Sequence, residues 1–475
     1  MTDKIKSGQE SSKVSDKGGT SRRVQGDSFG RVNTREIVLD MLQEILEEGK
    51  FSHTVINRTL NRYQYLEKQE RAFISRLCTG TVKRYLTLDY QINQVASLPV
   101  KKMKPLIRNI LRMSVYQLLY MDHIPESATC NEAVKLAKKR GFAKLSGFIN
   151  AVLRAMIRKK DQLQFPSKEA QPALYLEIVY SVPGWLVEEL LSQYEFDQVE
   201  RMLSISLDEK KTSVRCNMSK IKPHELKEKL MEEGLVVEDS ELLSYAFIIR
   251  DYDYLEKLEA FQKGYFAVQD ISSMLVCHIA GIKEDDLVVD VCAAPGGKAM
   301  HAAESAKLVS ARDLTDYKVR LIEENKDRLG ITNIVTKVWD ATVIDPDMVG
   351  KADVVIADLP CSGLGVLGKK ADIKYRITQE QLGELVQLQR KILTTIKEYV
   401  KPGGILIYST CTVNKEENLK NRDWFLQEFD FEAESLDPYL PEQLREETTK
   451  KGYLQLLQGV HPTDGFFLAR MRRRQ

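Results

Sequence analysis

The sequence of 475 residues lacks the features that mark membrane proteins and disulfide-bonded proteins. Its apolar runs are short and broken by charged residues, and no apolar signal core follows its first residues, so we expect no membrane partner. Its cysteines are scattered, with no closely spaced pair: Cys78, Cys130, Cys216, Cys277, Cys292, Cys361 and Cys411. This spacing argues against a disulfide framework and a zinc knuckle, and it favours free thiols in the reducing cytoplasm.

Histidine and phosphate-binding glycine motifs are also scarce. The six histidines show no ligand spacing, so we expect no metal site. The glycine-containing turn DVCAAPGGK, residues 290–298, lacks the G-x-G-x-x-G spacing of dinucleotide sites, and no G-x-x-x-x-G-K-[ST] loop occurs in the chain. These absences disfavour NAD and ATP as cofactors.

The net charge of +2 hides an uneven distribution of charge along the chain. Residues 34–160 hold 23 Lys and Arg against 11 Asp and Glu, a net charge of +12, whereas residues 161–475 carry a net charge of −13. A segment this basic predicts a surface for a polyanion, most simply nucleic acid. Solvated helix faces are the alternative interpretation of the same charges.

The pattern of residue types divides the chain into four regions and predicts a multidomain protein. Residues 1–33 are polar and lack periodicity, which predicts a disordered basic tail. Residues 34–160 repeat apolar positions at helical spacing and predict an all-helical domain whose first helix is capped by Asn33. Residues 161–275 predict a helical linker followed by a small α+β module, because a strand, a helix and a strand succeed one another there.

The fourth region, residues 276–475, alternates strands with helices and predicts a doubly wound α/β sheet. Its strand runs are LVVDVCA, LVSARD, NIVTKVWD, ADVVIADLP and GGILIYSTC. Ligands of such sheets bind beyond the carboxyl ends of the strands. Most of these runs end at or beside a group with chemical capacity: Asp313, Asp340, Asp358 with Cys361, and Cys411.

The turn after the first of these strands predicts a nucleoside cofactor. Adjacent glycines and small alanines let a ligand approach the backbone, and the N-terminus of the following helix offers free N–H groups. Asp313 follows Gly296 by 17 residues, which suits an acid that holds ribose hydroxyls, and Asp340 could accept a hydrogen bond from an adenine amino group. A nucleoside without phosphate fits these residues best, and S-adenosylmethionine is the obvious candidate.

The motifs DVCAAPGGK, LVSARD, KVWDAT, IADLPCSG and YSTCTVNKEEN resemble the successive motifs of the RNA cytosine-5 methyltransferases. The resemblance extends from about residue 34 to the closing DGFFLARM. It implies a NusB-like all-α RNA-binding domain, a ferredoxin-like RNA-binding module and a Rossmann-like class I S-adenosylmethionine-dependent methyltransferase domain. It also implies a monomer that methylates carbon 5 of an unpaired cytosine in 16S rRNA and does not act on DNA.

The resemblance implies a role for particular residues of these motifs. The residues that would surround the methionine part of the cofactor are Cys292, Ala293, Ala294, Pro295, Gly296, Gly297 and Lys298. Asp313 would bind its ribose and Asp340 its adenine. Cys411 would be the nucleophile and Cys361 would serve product release. Asp358 would lie near both the methyl group and the base, where it would donate a proton to ring nitrogen 3.

Three departures from the family pattern and three alternatives accompany this interpretation. Leu359 stands before Pro360 where an alanine is common, Ala371 stands where a proline is common, and the short segment ESAKLVSARD predicts a looser placement of Asp313. DNA cytosine-5 methyltransferases use the cysteine of a Pro-Cys motif, which would make Cys361 the nucleophile, although the YSTC run argues against it. A sister enzyme would methylate a different rRNA or tRNA cytosine. A non-catalytic RNA-binding or antitermination factor would use the basic helical domain alone.

Overall fold

The computed structural model describes residues 32–208 and 211–475, so the predicted disordered tail lies almost wholly outside the described residues. Groups of elements follow one another along the chain: a helical bundle, a helical connection, a small sheet and a large sheet. None of the helices in these two ranges combines the length and the apolarity that a membrane-crossing helix needs.

The first group of elements is a bundle of helices around one apolar core. Its members are α1 (Thr34–Leu46), α2 (Ser52–Arg62), α3 (Lys68–Lys83), α4 (Tyr85–Asn93), α5 (Pro105–Tyr120), α6 (Glu126–Lys139) and α7 (Ser146–Lys159). The predicted cap of the first helix is present, because the Asn33 side chain accepts hydrogen bonds from the backbone N–H groups of Arg35 and Glu36. The apolar stripe of α7, from Ile149 to Met156, is buried, as its spacing requires.

A helical connection and a small antiparallel sheet follow. These elements are α8 (Pro172–Tyr180), α9 (Gly184–Gln193), α10 (Phe196–Ile205), β1 (Thr212–Cys216), α11 (Pro223–Glu232), β2 (Val236–Asp239), β3 (Ala246–Arg250), α12 (Glu259–Gln262) and β4 (Phe266–Val268). The strands lie in the order β2-β3-β1-β4, and all of the pairs are antiparallel. The residue pattern predicted β1, α11 and β3 but not β2 and β4, because four and three residues are too few to show an alternation.

The large sheet positions the predicted site. Its elements are α13 (Ile271–Ala280), β5 (Leu287–Asp290), α14 (Gly297–Ala303), β6 (Leu308–Asp313), α15 (Asp316–Leu329), β7 (Ile334–Val338), β8 (Ala352–Asp358), α16 (Gln379–Ile396), β9 (Val400–Thr410), α17 (Leu419–Glu428), β10 (Phe431–Ala433), α18 (Glu447–Lys450), β11 (Tyr453–Leu456) and β12 (Phe466–Arg473). The order is β10-β12-β9-β8-β5-β6-β7, and β11 also pairs with β12. The five strands from β9 to β7 are parallel, whereas β10, β11 and β12 are antiparallel. The sheet is therefore mixed, and its five parallel strands end at one common edge.

The loop after β8 packs against the helical bundle. Ala371 is buried in the apolar core of that bundle. Asp372 accepts a hydrogen bond of 3.1 Å from the backbone N–H of Ser52, the first residue of α2, and Lys374 donates to the carbonyl oxygen of Lys83 at 3.0 Å. Ala371, which stands where the family commonly has a proline, thus forms a small apolar contact between the bundle and the loop that follows Cys361.

Candidate active site

Two thiols meet at the common edge of the parallel strands. β8 and β9 are neighbours, with Asp358 beside Ser409 in their register. Cys361 lies three residues beyond the end of β8, and Cys411 lies one residue beyond the end of β9. Their Sγ atoms are 3.3 Å apart. The parallel neighbours β8 and β9 therefore bring both thiols to the same edge of the sheet.

The two thiols differ in acidity. A hydrogen bond from Cys361 lowers the pKa of Cys411, and Lys370 and Lys298 lower it further, although burial and Asp358 act in the opposite direction. The same hydrogen bond, together with burial, raises the pKa of Cys361 well above that of an ordinary thiol. The thiolate, which is the reactive form of cysteine, is therefore favoured at Cys411 over Cys361.

Asp358, the last residue of β8, is held in an ion pair. Its Oδ2 lies 2.6 Å from the Nζ atom of Lys298, and its Oδ1 accepts a hydrogen bond of 2.9 Å from the Ser409 hydroxyl. Burial would lower the pKa of Lys298, but Asp358, together with Asp290 and Cys411, outweighs burial, and the pKa of Lys298 is raised. The sequence pattern predicted neither contact, since it placed Lys298 in the cofactor loop and Asp358 beside the base as separate groups.

The loop from Cys292 to Lys298 turns the chain from β5 into α14. Gly296 has a φ angle of +105°, in the left-handed region that favours glycine, and a Cβ atom there would lie 2.9 Å from Cε of Met300. The Asn325 side chain on α15 donates a hydrogen bond of 3.0 Å to the carbonyl oxygen of Pro295. The hydrogen bond from α15 therefore stabilises the loop in a conformation that requires the left-handed backbone of Gly296.

Asp313 and Asp340 follow the next two strands and lie in different surroundings. Asp313 is only 3% exposed, accepts a hydrogen bond of 3.0 Å from the backbone N–H of Ala294 and lies 2.9 Å from the Lys318 Nζ atom. The short segment before β6 therefore does not loosen Asp313, which is hydrogen-bonded to the loop from Cys292 to Lys298. Asp340 is exposed at the rim, where a hydrogen bond from the backbone N–H of Thr342 lowers the pKa of its carboxyl group.

A buried carboxylate that the sequence pattern did not single out joins the two thiol loops. Glu417 accepts hydrogen bonds from the backbone N–H and the hydroxyl of Ser362, at 2.9 and 2.5 Å, and Ser362 directly follows Cys361. It also accepts one of 3.2 Å from the Asn414 side chain, three residues after Cys411. Burial raises the pKa of Glu417, and these hydrogen bonds oppose the rise. The motif YSTCTVNKEEN contains Glu417, but nothing in its spacing shows that this carboxylate is buried.

Gln389 on α16 extends this network beneath the thiols. Its Nε2 atom donates to the carbonyl oxygen of Pro360 and to the Glu417 carboxylate, both at 2.9 Å. Its Oε1 atom accepts a hydrogen bond of 2.8 Å from the Asn421 side chain on α17. Gln389, Glu417 and Asn421 are all buried. Two helices thus hold the loops that carry the thiols.

Three family models match successive parts of the chain. The model of 16S rRNA methyltransferase RsmB/F matches residues 278–472, and that of the NusB family matches residues 32–158. The model of the RsmF/B-like ferredoxin-like domain matches residues 182–252. Together with the mixed sheet, these matches confirm the predicted fold class, in which a NusB-like domain and a ferredoxin-like module precede a methyltransferase domain.

Solved structures share this fold. The crystal structure of the protein PH0851 matches over 93% of this chain and 99% of its own, with 24% identity and a TM-score of 0.77. A methyltransferase homologue from Pyrococcus horikoshii matches over 64% of this chain and 99% of its own, with 25% identity and a TM-score of 0.55. NSun6 from the same organism, solved with SFG, matches over 61% and 97%, with 23% identity and a TM-score of 0.54.

Curated relatives match nearly the whole chain. The Bacillus subtilis (strain 168) protein named "Probable ribosomal RNA small subunit methyltransferase B" is 36% identical over 94% of this chain and 99% of its own length. A protein of the same name from Synechocystis sp. is 31% identical over 93% of this chain and 100% of its own length. The chain therefore belongs to the ribosomal RNA small subunit methyltransferase B family and is an rRNA methyltransferase.

Proposed function

We propose that this enzyme methylates carbon 5 of a cytosine in 16S rRNA, cytosine 967, through a covalent bond between Cys411 and carbon 6 of the base. The observation that carries the proposal is the pair of thiols at the ends of β8 and β9, with their Sγ atoms 3.3 Å apart and the pKa of Cys411 lowered. The raised pKa of Cys361 disfavours the alternative in which Cys361 is the nucleophile.

The methyl donor in this proposal is S-adenosylmethionine. The loop from Cys292 to Lys298 and the buried carboxylate of Asp313 form one hydrogen-bonded unit, which suits the methionine and ribose parts of such a cofactor, and Asp340 lies at the rim for its adenine. When bound, the cofactor supplies an electrophilic methyl group on a sulfonium sulfur. The relative NSun6, solved with SFG, shares the fold of this domain, and class I methyltransferases bind their donor at this edge of the sheet.

The side chains of the site can activate carbon 5 of the cytosine and stabilise the charge that forms on the ring. Carbon 5 of cytosine is a weak nucleophile, and addition of the Cys411 thiolate to carbon 6 moves an electron pair towards carbon 5. The same addition places negative charge on the ring, and the pair of Lys298 and Asp358 holds the proton that ring nitrogen 3 needs. In this account the proton comes from the ion pair as a unit, whereas the sequence assigned it to Asp358 alone.

Release of the product gives Cys361 its role. While Cys411 is a free thiolate, its charge and hydrogen bond keep the pKa of Cys361 high. Bonding to carbon 6 removes that charge, so Cys361 can lose its proton to solvent and then, as a thiolate, accept the proton of carbon 5. The electron pair of that C–H bond re-forms the ring double bond as the bond between Cys411 and carbon 6 breaks and Cys411 leaves as a thiolate. The proton on ring nitrogen 3 returns to the pair of Lys298 and Asp358.

We expect Cys361→Ala to shift formation of the covalent adduct to higher pH. The substitution removes the hydrogen bond that most lowers the pKa of Cys411, so a higher pH is needed to form the thiolate, and the rate rises later on the pH axis. The measurement is the rate of adduct formation against pH with RNA that carries 5-fluorocytidine. Cys130→Ala, which removes a thiol of the helical bundle, serves as the control. A midpoint that stays in place or moves to lower pH would contradict the proposed pairing.

We expect Gly296→Ala to weaken binding of S-adenosylmethionine by about 10-fold, since the left-handed backbone costs an L residue roughly 1–2 kcal/mol and the added Cβ would crowd Met300. Isothermal titration calorimetry measures this affinity directly. Gly383→Ala on α16 is the matched control, because a Cβ atom there meets nothing within 4 Å. Equal affinities for the two variants would show that the loop conformation does not govern cofactor binding.

A further inference from the structure

A cavity outside the strand edge opens where the helical bundle meets the connection that follows it. Its volume is about 540 Å³, and it lies beside α4, the end of α5, α8 and the segment before α8. This volume falls within the range of ligand pockets. The side chains that give it chemical character are Arg84, Gln91, Tyr120, Lys160, Phe165 and Tyr175. None of them belongs to the site at the ends of β8 and β9.

Arg84 gives the cavity a cation that is available to an anion. Its guanidinium carbon lies 4.6 Å from the centre of the Tyr120 ring, and across residues 32–208 and 211–475 no carboxylate forms an ion pair with it. Lys160, which is exposed at the cavity wall, adds a second positive charge and lies 3.2 Å from Glu126. The N–H groups of a guanidinium are arranged so that they can donate two hydrogen bonds to the oxygens of one phosphate group.

The rest of the lining suits a flat heterocycle that carries an amino group. Phe165 is 42% exposed, although large apolar rings are commonly buried, and Tyr175, which also lines the cavity, is half-buried. Gln91 is 3% exposed and donates a hydrogen bond of 2.7 Å to the Tyr120 hydroxyl. Within the described part of the chain, the Oε1 atom of Gln91 has no hydrogen-bond partner. A buried acceptor of this kind costs free energy until a donor reaches it.

We propose that this cavity binds an unpaired nucleotide of the rRNA substrate, away from the cytosine that is methylated. The base stacks on Phe165 and Tyr175, its exocyclic amino group donates to Gln91, and its phosphate pairs with Arg84. Stacking on aromatic rings and pairing of phosphate with arginine are the usual means of holding single-stranded RNA. The inference rests on the proposed function, because the RNA is the substrate of that function.

The place of the cavity supports this occupant. The segment from residue 34 to residue 160 carries a net charge of +12, which attracts RNA. Arg84 follows Lys83, whose carbonyl oxygen accepts hydrogen bonds from Lys374 at 3.0 Å and from the Tyr375 hydroxyl at 2.9 Å. Both donors belong to the loop that follows Cys361. The cavity therefore lies next to the loop that follows Cys361.

The test compares Arg84→Gln and Phe165→Ala with the wild-type full chain on a small-subunit rRNA fragment. Each substitution is expected to raise the Kd for the fragment by about 10-fold, the effect of losing one stacked base or one charge-assisted contact. Arg84→Gln is also expected to reduce the slope of log Kd against log salt by about 1. Circular dichroism and thermal melting of the same preparations establish that each variant is folded.

Tyr65→Ala is the matched control, because it removes a 70% exposed ring of the same bundle outside the cavity. Wild-type affinity in both cavity variants, or an equal loss in Tyr65→Ala, would overturn the nucleotide site. Methylation of the fragment by the wild type is measured alongside. If the wild type methylates while the cavity variants bind normally, only this inference falls. If the wild type neither binds nor methylates the fragment, the proposed function falls as well.

Discussion

Cys411→Ala should abolish the covalent complex between the enzyme and a small-subunit rRNA fragment that carries 5-fluorocytidine. Fluorine at carbon 5 blocks the final elimination, so the wild type stays attached to its RNA on a denaturing gel. Methyl transfer to unmodified RNA should fall by on the order of 10⁴-fold or more, the scale seen when a nucleophile is removed from a concerted catalytic group. The reason is that Cys411 is the thiol of the pair whose pKa is lowered.

Cys361→Ala makes the complementary prediction on the same gel. The variant should still form the adduct with 5-fluorocytidine. With unmodified cytidine it should accumulate an adduct that the wild type resolves, because the group that accepts the proton of carbon 5 is missing. If Cys361→Ala abolishes the adduct and Cys411→Ala retains it, the roles of the thiols are reversed. If neither the wild type nor any variant forms an adduct, although all of them bind the RNA, the covalent mechanism is wrong.

The parts of the fold that residue pattern predicted are those with a strong local signal. Five strand runs rich in β-branched residues became the parallel strands of the large sheet. A polar residue before a periodic apolar run predicted the cap at Asn33. Because parallel strands end at one edge, the alternation of strands and helices predicted that Cys361 and Cys411 lie at the same edge of the sheet.

The features that pattern did not predict depend on partners distant in sequence. The ion pair of Lys298 and Asp358 joins the helix after β5 to the end of β8, and either residue alone is an ordinary charged side chain. The hydrogen bond between Ser52 and Asp372 spans 320 positions. Periodicity reports which face of an element is buried, but it carries no information about which distant residue meets that face. The antiparallel strands β10 to β12 escaped prediction for the same reason.

The contacts of Glu417 are also among those that residue pattern did not predict, and substitution of Glu417 is expected to have a large effect on the reaction rate. Its carboxylate accepts from two groups of Ser362, from Gln389 and from Asn414, so it connects the turn after Cys361 with the turn after Cys411. Removing it leaves buried donors without an acceptor, each at a cost of roughly 1–3 kcal/mol. The two turns then lose their common anchor. Glu417 touches neither thiol, so its role is to position them.

Glu417→Ala is therefore expected to slow adduct formation and methyl transfer by about 100-fold, since a displacement of about 1 Å in a reacting group has an effect of that size. Single-turnover rates, normalised to the folded fraction, measure this loss. Glu416→Ala is the matched control, because that neighbour has a side chain 47% exposed and pairs with Lys420 on the surface. A lowered melting temperature with an unchanged rate per folded molecule would reduce Glu417 to a stabilising residue. A slower rate with the midpoint of its pH profile shifted to higher pH would show that Glu417 maintains the separation of the two thiols. It would also show that the low pKa of Cys411 depends on this carboxylate, although Glu417 contacts neither thiol.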